Sequence, residues 1–333
     1  MKNKTALAYF LIFSVSLVRA DQFSMHYYND IFAGTDRHFT NGVSFCWLDD
    51  TKSRENSQGI NAYTNFMLKT VDTIPSIDIN EYKKYTAGAS VSQMIITPND
   101  IEIEEKQLDD IPYAGYLALS FFLFEWNSES FKEYRLSVGV IGPESGAQYV
   151  QNGFHRLIGN TEAAGWDHQL GTAYTVNALF RYGNISWQDT VLDYFKVDWF
   201  NNAGVQVGNF TTDLFASTML RIGKNYINNF NVHYPYLREE ASVLQVDEKH
   251  KHFGYSLTFG LNGELLAYSY ILDEGKNEGY ATNKNLLNAS IYTGLDLFYD
   301  AHKITLFYQS QSPYIKKQKS ADIIGGFMYS YQF

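Results

Sequence analysis

Alternation of apolar and polar residues is the dominant pattern along this chain. In residues 253–262, Phe253, Tyr255, Leu257, Phe259 and Leu261 alternate with small or polar residues. A repeat of two is the signature of a β-strand with one apolar face and one polar face. Residues 39–47 follow the same rule, with Phe39, Val43, Phe45 and Trp47 on one side, and this places Thr40 on the polar side, which we expect to face the interior.

Twelve segments with this character predict twelve strands. They lie near 23–29, 39–48, 85–96, 113–126, 133–142, 172–187, 191–209, 213–223, 252–272, 285–299, 302–311 and 321–333. An even number of antiparallel strands closes into a barrel without free edges and brings both chain ends to one side. The last strand ends on Phe333, an alternating, aromatic ending that resembles the assembly signal of bacterial outer-membrane barrels. The pattern therefore predicts an all-β fold, a twelve-stranded antiparallel transmembrane barrel.

The connections between these strands divide into two groups. With both chain ends in the periplasm, we expect 30–38, 97–112, 143–171, 210–212, 273–284 and 312–320 to lie on the outside. Two connections on the periplasmic side, 49–84 and 224–251, are longer than such barrels usually have. Either they form small plugs or caps, or the strand count is wrong near them.

One external connection has the period of a helix, over residues 144–158. Its apolar side consists of Ala147, Val150, Phe154, Leu157 and Ile158, and its polar side of Gln148, Gln151, Asn152 and His155. Pro143 stands near its start and Gly159 just past its end, the asymmetry expected of helix termini.

The first twenty residues indicate export. Lys2 and Lys4 precede an apolar run from Ala6 to Val18, followed by Arg19 and Ala20. This is the pattern of a secretory signal peptide, 1–20, removed after Ala20. We expect one barrel domain, 21–333, with no membrane helix, because the apolar run is too short to span a bilayer and no later stretch qualifies.

Composition supports the barrel and narrows the partners. Aromatic residues make up 17% of the chain, yet its mean hydropathy is −0.28. Interleaved apolar and polar residues of this kind suit a barrel that faces lipid outside and water inside. Cys46 is the only cysteine, so no intramolecular disulfide forms. The net charge of −10 argues against nucleic acid as a partner.

Candidate chemistry begins in the first predicted hairpin. Asn29-Asp30 and the stretch from Thr35 to Gly42, which includes Asp36, Arg37 and Thr40, combine carboxylate, amide and hydroxyl groups. Hard cations such as calcium bind oxygen donors of this type. The same residue types also form ordinary polar turns, and composition alone leaves both readings open.

His155 is the second candidate, one helical turn beyond Gln151, so both side chains can face the same point. A histidine on an external helix can equally be solvated. The strand assignment, however, places Asn29, Asp30, Thr40 and His155 at the same end of the barrel. Since no Gly-x-Ser-x-Gly elbow and no Cys/His zinc spacing occur, a water molecule activated by histidine is the simplest nucleophile, with His168 as a distant rival.

Four stretches carry a resemblance to a known family. They are Asn29-Asp30, residues 35–42 (TDRHFTNG), residues 112–116 (PYAGY), and Val140–Pro143 continuing through 151–159 (QNGFHRLIG). The chain resembles the lipid A 3′-O-deacylases of the Gram-negative outer membrane over its whole length, more weakly after Leu170. The last stretch is the most specific, because order and spacing agree over about twenty residues.

The resemblance implies a twelve-stranded barrel with an active site between the barrel wall and a helix from an external loop. It implies that His155 activates water and that calcium, held by Asn29 and Asp30, stabilises the oxyanion. Thr40 and Gln151 match further site positions. The implied reaction removes the 3′-linked acyl group of lipid A, at an active site on the extracellular side. Partners would be lipopolysaccharide and outer-membrane lipids, and divalent cations would offset the charge between an acidic protein and anionic lipid A.

One departure from the family pattern concerns the loop after the third strand. Direct alignment places Ile103 where the family has a lysine, while Lys106 stands nearby but out of register. Lys106, Arg37 and Arg156 are therefore the candidates for binding the substrate's phosphates. Other readings remain open: an outer-membrane phospholipase-type acyl hydrolase, a non-enzymatic channel or adhesin, or a barrel whose site has decayed.

Overall fold

The computed structural model describes residues 20–29, 38–49, 52–53, 62–73, 84–226, 230 and 250–333. Residues 1–19 of the predicted signal peptide, Asp30 and Arg37 lie outside these residues, and for Ala20 and Thr40 the structure describes the backbone only.

Twelve strands form the wall, as the alternating pattern predicted. They are β1 (Ala20–Asn29), β2 (His38–Asp49), β3 (Lys84–Thr97), β4 (Ala114–Trp126), β5 (Ser130–Ile141), β6 (Ala173–Val191), β7 (Phe195–Gly208), β8 (Thr211–Lys224), β9 (His250–Ser269), β10 (Leu287–Asp300), β11 (His302–Gln311) and β12 (Asp322–Gln332). The predicted boundary between the sixth and seventh strands was a few residues off, because β6 continues to Val191.

The strands close into one antiparallel barrel. Each strand pairs with its neighbours in sequence, and β1 pairs with β12, with Ser24 opposite Ser330. After β2, the two residues Lys52–Ser53 also pair with the start of β3. The end of the barrel where β1 begins and β12 ends is called the terminal end below. The opposite end, where β1 ends at Asn29 and β12 begins at Asp322, is the loop end.

The two faces of the wall differ in polarity. Inward positions carry small polar groups that pair across strands, such as Ser24 with Ser330 at 2.9 Å and Ser120 with Ser137 at 2.8 Å. Outward positions carry large apolar side chains, and Val176, Leu261 and Ile291 are more than half exposed. The alternation seen in the sequence is thus the alternation between the bore and the outer surface.

The bore is filled by charged side chains in compensating groups. Glu133 forms ion pairs with both Arg135 and Arg181, and Arg181 is fully buried. Elsewhere in the bore Arg221 donates to Asp198 at 2.7 Å and Lys303 lies 3.1 Å from Asp296. Buried charges persist only when they are paired, and these pairs leave the described bore without an exposed charged lining.

Apolar packing closes the loop end of the bore. Tyr116 stacks on Phe210 with ring centroids 3.9 Å apart, and its hydroxyl lies 3.2 Å from that of Thr175. Around this pair lies one buried cluster that includes Ile96, Ile111, Leu272, Tyr314 and Ile315. Several loops that cross the mouth therefore contribute to a single apolar plug.

The described residues include three α-helices: α1 (Ala62–Asp72), α2 (Ala147–Ile158) and α3 (Tyr270–Asn277). A short 3-10 turn, Pro143–Ser145, precedes α2, so the predicted helix 144–158 begins slightly later than expected. None of the described helices is long and apolar enough to cross a membrane.

The two long connections at the terminal end leave the strand count unchanged. In 49–84, α1 packs on the outer wall: Met67 and Val71 contact the outward residues Tyr85, Ala87 and Leu123. In 224–251, Phe230 enters the bore and contacts the ring of Phe131 at 5.0 Å. The first connection is therefore a cover on the outside, and the second contributes a plug residue.

Candidate active site between the outer wall and helix α2

The site lies on the outside of the barrel, where α2 packs on the wall. Strand pairing aligns Asn29, Asn41, Ile95 and Gly115 in one row across β1 to β4 at the loop end. A side chain built at Gly115 would come within 2.3 Å of the Ala147 Cβ atom. Glycine at this position therefore allows the start of α2 to touch the wall, and Gln93 adds a hydrogen bond from Nε2 to the Ser145 carbonyl at 2.8 Å.

The side of α2 that faces the wall is its polar side. Ala147, Gln151 and His155, spaced by four residues, are buried. The apolar side chains of Tyr149, Val150, Phe154, Leu157 and Ile158 are exposed instead. The expectation that Ala147 lies with the apolar stripe was wrong, because a small residue is required where the helix meets Gly115. The polar side chains of Gln151 and His155 thus lie between the helix and the barrel wall, and this region is called the cleft below.

Left-handed glycines define both ends of α2. Gly146 and Gly159 each have a φ of 72°, a conformation that glycine adopts without steric cost. Past the end of the helix, Gly159 N–H donates to the Arg156 carbonyl and Asn160 N–H donates to the His155 carbonyl at 2.8 Å. This is the Schellman arrangement, and it anchors the backbone of His155 at the last turn.

The imidazole of His155 is held by the backbone of the following loop. Its Nδ1 lies 2.5 Å from the carbonyl oxygen of Thr161, and the residue is only 5% exposed. A carbonyl oxygen can only accept a hydrogen bond, so Nδ1 carries the hydrogen. In the neutral imidazole the available lone pair is then on Nε2. This Nδ1–H tautomer allows Nε2 to act as a general base.

Gln151 is oriented by a buried tryptophan. The indole Nε1 of Trp166 donates to Gln151 Oε1 at 2.8 Å, and an indole N–H is a donor only. This bond fixes which end of the amide is oxygen. Among the residues that the structure describes, no group accepts a hydrogen bond from the buried Nε2 of Gln151. A donor is therefore available one helical turn from His155.

The loop after α2 is folded back onto the helix by side-chain to backbone bonds. Asn152 donates to the Ala163 carbonyl at 3.2 Å and accepts from the Ala163 N–H at 3.0 Å. The next residue, Ala164, donates to the Ile101 carbonyl at 2.8 Å. Trp166 packs on the ring of Tyr113, 5.1 Å between centroids. These contacts fix the loop that holds His155 and Gln151.

The first hairpin contributes Asn29 and Thr40 to the same end of the barrel. Asn29 is 6% exposed and its Nδ2 lies 3.3 Å from the hydroxyl of Tyr27, on the outward face. In β2, His38 and Phe39 pair with Thr97 and Ile96, whereas Asn41 pairs with Ile95, so Thr40 occupies a β-bulge. A bulge interrupts the alternation, and the expected inward direction of the Thr40 side chain stays a prediction.

The remaining predicted residues form surface contacts. Arg156 makes an exposed ion pair with Glu162 at 2.7 Å. Lys106 lies 3.4 Å from Glu278 and 4.6 Å above the ring of Tyr280, on the side of its loop that meets the residues after α3. Ile103 lies at the opposite side of that loop: its carbonyl oxygen would be 2.9 Å from a Cβ atom at Gly165, next to Trp166.

His168, the rival base, is exposed on the loop surface. Its backbone carbonyl accepts a hydrogen bond from the Tyr280 hydroxyl at 3.0 Å. Burial, and to a smaller extent the charge of Glu278, raise the pKa of Tyr280 to about 12, so this hydroxyl stays a donor at neutral pH. His168 therefore contributes through its backbone to loop packing and does not join His155 in the cleft.

Metal binding was predicted for residues at the edge of the described chain. Within the described ranges, no three His, Cys, Asp or Glu side chains come close enough together to hold a metal ion. The predicted calcium donors are the amide oxygen of Asn29 and the carboxylate of Asp30, which lies outside the described residues. Oxygen donors of this kind fit calcium.

Sequence reasoning missed the residues that orient the site. Thr161 acts through its backbone carbonyl, which carries no signal in the sequence. Trp166 of the loop and Asn152 of α2 act through side-chain bonds between helix and loop, which form only after the loop folds back. Trp166 could have been suspected as a large side chain with a single donor in an otherwise small and polar loop, residues 159–169.

A closed antiparallel barrel with an apolar outer wall and a filled bore defines an outer-membrane barrel protein. The sequence model of a single family, described as outer membrane protein LpxR, matches residues 5–333. The chain belongs to this family, which confirms the resemblance drawn from the four sequence stretches.

Comparison with solved structures supports the fold. The structure titled LpxR from Salmonella typhimurium superposes with a TM-score of 0.73 at 16% identity, covering 94% of this chain and all of that one. The β-domain of the Bordetella autotransporter BrkA gives 0.47 at 9% identity, covering 94% and 98% of the two chains. The translocator domain of NalP from Neisseria meningitidis gives 0.35 at 9%, covering 99% and 98%. A comparison with curated protein sequences gives no match.

Proposed function

We propose that this protein is a lipid A 3′-O-deacylase, which hydrolyses the ester of the 3′-linked acyl chain with His155 as general base. The observation that carries the proposal is the contact between His155 Nδ1 and the Thr161 carbonyl at 2.5 Å. It leaves Nε2 as a proton acceptor inside a cleft on the outer wall of a membrane barrel. An ester within a membrane lipid is the substrate class that such a location can reach.

The residues of the cleft supply each proton transfer in ester hydrolysis. His155 Nε2 takes a proton from water as the water oxygen attacks the ester carbonyl. The tetrahedral oxyanion then collapses, the bond to the sugar oxygen breaks, and the imidazolium returns its proton to that oxygen. The products are a free fatty acid and a lipid A with one more hydroxyl. General-base assistance of this type typically contributes roughly 10²- to 10⁴-fold in rate.

Gln151 and Thr40 are the proposed positioning groups. The Nε2 of Gln151 is fixed as a donor by Trp166 and binds an oxygen of the substrate near His155. Thr40 is proposed to position water or the carbonyl group, a role that requires the bulge of β2 to turn its side chain outward, against the inward direction expected from the sequence. Asn29 lies three strands from Gly115, about 14 Å at the usual strand spacing. His155 lies eight residues from Ala147, about 12 Å along a helix. These similar lengths allow His155 and Asn29 to line one cleft.

Calcium is the proposed cofactor, with Asn29 and Asp30 as its protein donors. When bound, it would act as a Lewis acid toward the carbonyl oxygen. Asn29 is nearly buried at the outer edge of β1, so its amide is held in one place. A divalent ion would also reduce repulsion between this acidic chain and the phosphates of lipopolysaccharide. Arg37, Arg156 and Lys106 are proposed for binding these phosphates, with Lys106 requiring release from Glu278.

We also propose that the cleft faces the extracellular side, where lipid A forms the outer leaflet. The start of β1 and the end of β12 lie at the end opposite α2, and short turns such as 192–194 and Ala301 connect strands there. Short turns are typical of the periplasmic end of such barrels.

Mass spectrometry of lipid A tests the reaction. In a Gram-negative host, expression of the protein should lower the mass of lipid A by the 3′-linked acyl group. A matched strain expressing His155→Ala should retain the full mass. Unchanged lipid A in the presence of folded wild-type protein contradicts the proposal, and loss of acyl chains from phospholipids alone would identify a phospholipase-type hydrolase instead.

Chelation tests the cofactor. EDTA should abolish turnover by the purified protein, and added calcium should restore it more effectively than zinc, because the donors are oxygen atoms. Full turnover after exhaustive chelation would remove the metal from the reaction.

A further inference from the structure

Five large apolar side chains on α2 face away from the barrel. They are Tyr149, Val150, Phe154, Leu157 and Ile158, with Leu157 82% exposed. None of them is needed to hold the helix in place, because α2 is attached through Ala147 on Gly115, Gln93 on Ser145 and the loop bonds of Asn152. A contiguous apolar patch that does not serve packing marks a contact with another molecule or with lipid.

The position of the helix decides between these partners. Outward apolar residues of the wall continue to the last positions at the loop end, where Tyr174, Leu287 and Ile323 are the first or second residues of their strands and are all exposed. The apolar belt that contacts hydrocarbon therefore reaches the rim on which α2 packs. The exposed apolar face of α2 extends this belt beyond the strand positions that align with Gly115 at the loop end.

The polar groups of the helix are placed as an interfacial helix requires. Those turned inward, Gln151 and His155, are shielded by the wall. The exposed charges of Arg156 and Glu162 neutralise each other at 2.7 Å. A helix with one apolar face and a separate polar face lies in the plane of the membrane interface with its apolar face in the acyl chains.

We infer that the outward face of α2 is immersed in the acyl chains of the surrounding leaflet. The membrane location follows from the family and the fold, and only the catalytic consequence rests on the proposed function. The cleft then lies between a protein wall and a helix immersed in lipid, and the substrate's ester enters from the side without leaving the leaflet.

Site-directed spin labelling tests the immersion directly. Cys46 is 1% exposed and does not react with the label, so Leu157→Cys gives a single labelled site in the full-length protein. In vesicles containing lipopolysaccharide, the label at 157 should be accessible to oxygen, which dissolves in lipid, and poorly accessible to a water-soluble nickel chelate. Leu261→Cys on the wall is the lipid control, and Glu104→Cys in an exposed loop is the water control.

Two results would overturn the inference. A label at 157 that behaves like the Glu104→Cys control would place α2 in water. A label that is immobile and inaccessible to both reagents would show a protein partner on this face. Ile158→Cys provides a second position, and heat-modifiable migration in gels confirms that each variant is folded.

A charged substitution tests the consequence for catalysis. Leu157→Asp should lower turnover of lipid A in vesicles severalfold, because a carboxylate draws the helix out of the acyl chains. Leu192→Asp is the matched control, since Leu192 has the same 82% exposure but lies in a turn at the terminal end. Equal turnover by the Leu157→Asp and Leu192→Asp variants would contradict entry of the substrate from the side. If wild-type protein has no activity at all, the labelling result still stands and only the proposed function fails.

Discussion

At the scale of residues, the proposed chemistry depends on one histidine, His155, whose tautomer is fixed by a hydrogen bond. Replacement His155→Ala removes the proton acceptor and should reduce kcat by at least about 10²-fold, within the range that general bases supply. The barrel should remain folded, because His155 lies on a helix outside the closed sheet and its side chain is bonded to the Thr161 carbonyl of the following loop. Near-normal turnover by the folded variant would make His155 structural, and His168→Ala would then be the next test.

Trp166 should act on catalysis through Gln151. Trp166→Phe removes the donor to Gln151 Oε1 while it keeps most of the packing on Tyr113. We expect a smaller loss of kcat than for His155→Ala, and little further loss when Gln151→Ala is added, because both changes remove the same interaction. Trp199→Phe is the matched control, since Trp199 also donates through its indole, to Thr218 on the outer wall. Additive losses would show that Trp166 acts independently of Gln151.

The sequence proposed single residues where side chains would carry the chemistry, and their catalytic roles stay predictions. His155 and Gln151 share a helical stripe, and both are buried in the cleft as their spacing suggested. The contacts that orient them could not be predicted, because the Thr161 backbone and the Trp166 indole reach the helix only through the fold of the loop.

At the scale of elements, the docking of α2 on β4 determines the width of the cleft. Gly115→Ala would bring a methyl group within 2.2 Å of Ser145 Oγ and 2.3 Å of Ala147 Cβ. Overpacking of this type costs about 1–3 kcal/mol. The helix can relieve the clash by moving outward, so turnover should fall while the barrel stays folded. Gly263→Ala, on an open part of the outer wall, should leave turnover unchanged.

Turnover should be measured for both variants, and heat-modifiable migration in gels should confirm that each barrel is folded. Equal turnover of Gly115→Ala and wild type would mean that α2 tolerates displacement and that the cleft is wider than the packing indicates.

The sequence predicted this helix but did not determine which of its faces packs on the barrel. Apolar residues of a helix normally face the protein, and on that basis Val150 and Phe154 would be buried. In a membrane protein the outside is also apolar, so periodicity identifies two faces without showing which one meets the barrel. The contact of Ala147 with Gly115 shows which face of α2 meets the barrel.

At the scale of the whole molecule, the filled bore predicts that the barrel does not conduct ions. The ion pairs of Glu133, Asp198 and Asp296 occupy its interior, and the Tyr116–Phe210 stack lies at its mouth. An open channel requires an exposed polar lining. Purified protein in planar bilayers should therefore give no conductance steps, with a general porin as the positive control. Regular steps would favour the channel hypothesis.

The architecture was predicted well because the alternation is strong in every strand. The count of twelve and the pairing of the ends follow from period-two segments alone. The long connections could not be assigned. The apolar side of α1 packs on the outer wall of the barrel and not on a core. Phe230 is one of four aromatic residues in its connection, and nothing in the sequence shows that it is the one that enters the bore.

The seam of the barrel links assembly to activity. β1 is held by β2 on one side and by β12 on the other, and Asn29 sits opposite Gly325, close to the end of the chain. Until the last strand is in place, β1 has one unpaired edge and Asn29 has no fixed position relative to α2. In the proposed mechanism a newly made chain in transit is therefore inert toward the lipids it passes, and closure of the barrel switches hydrolysis on.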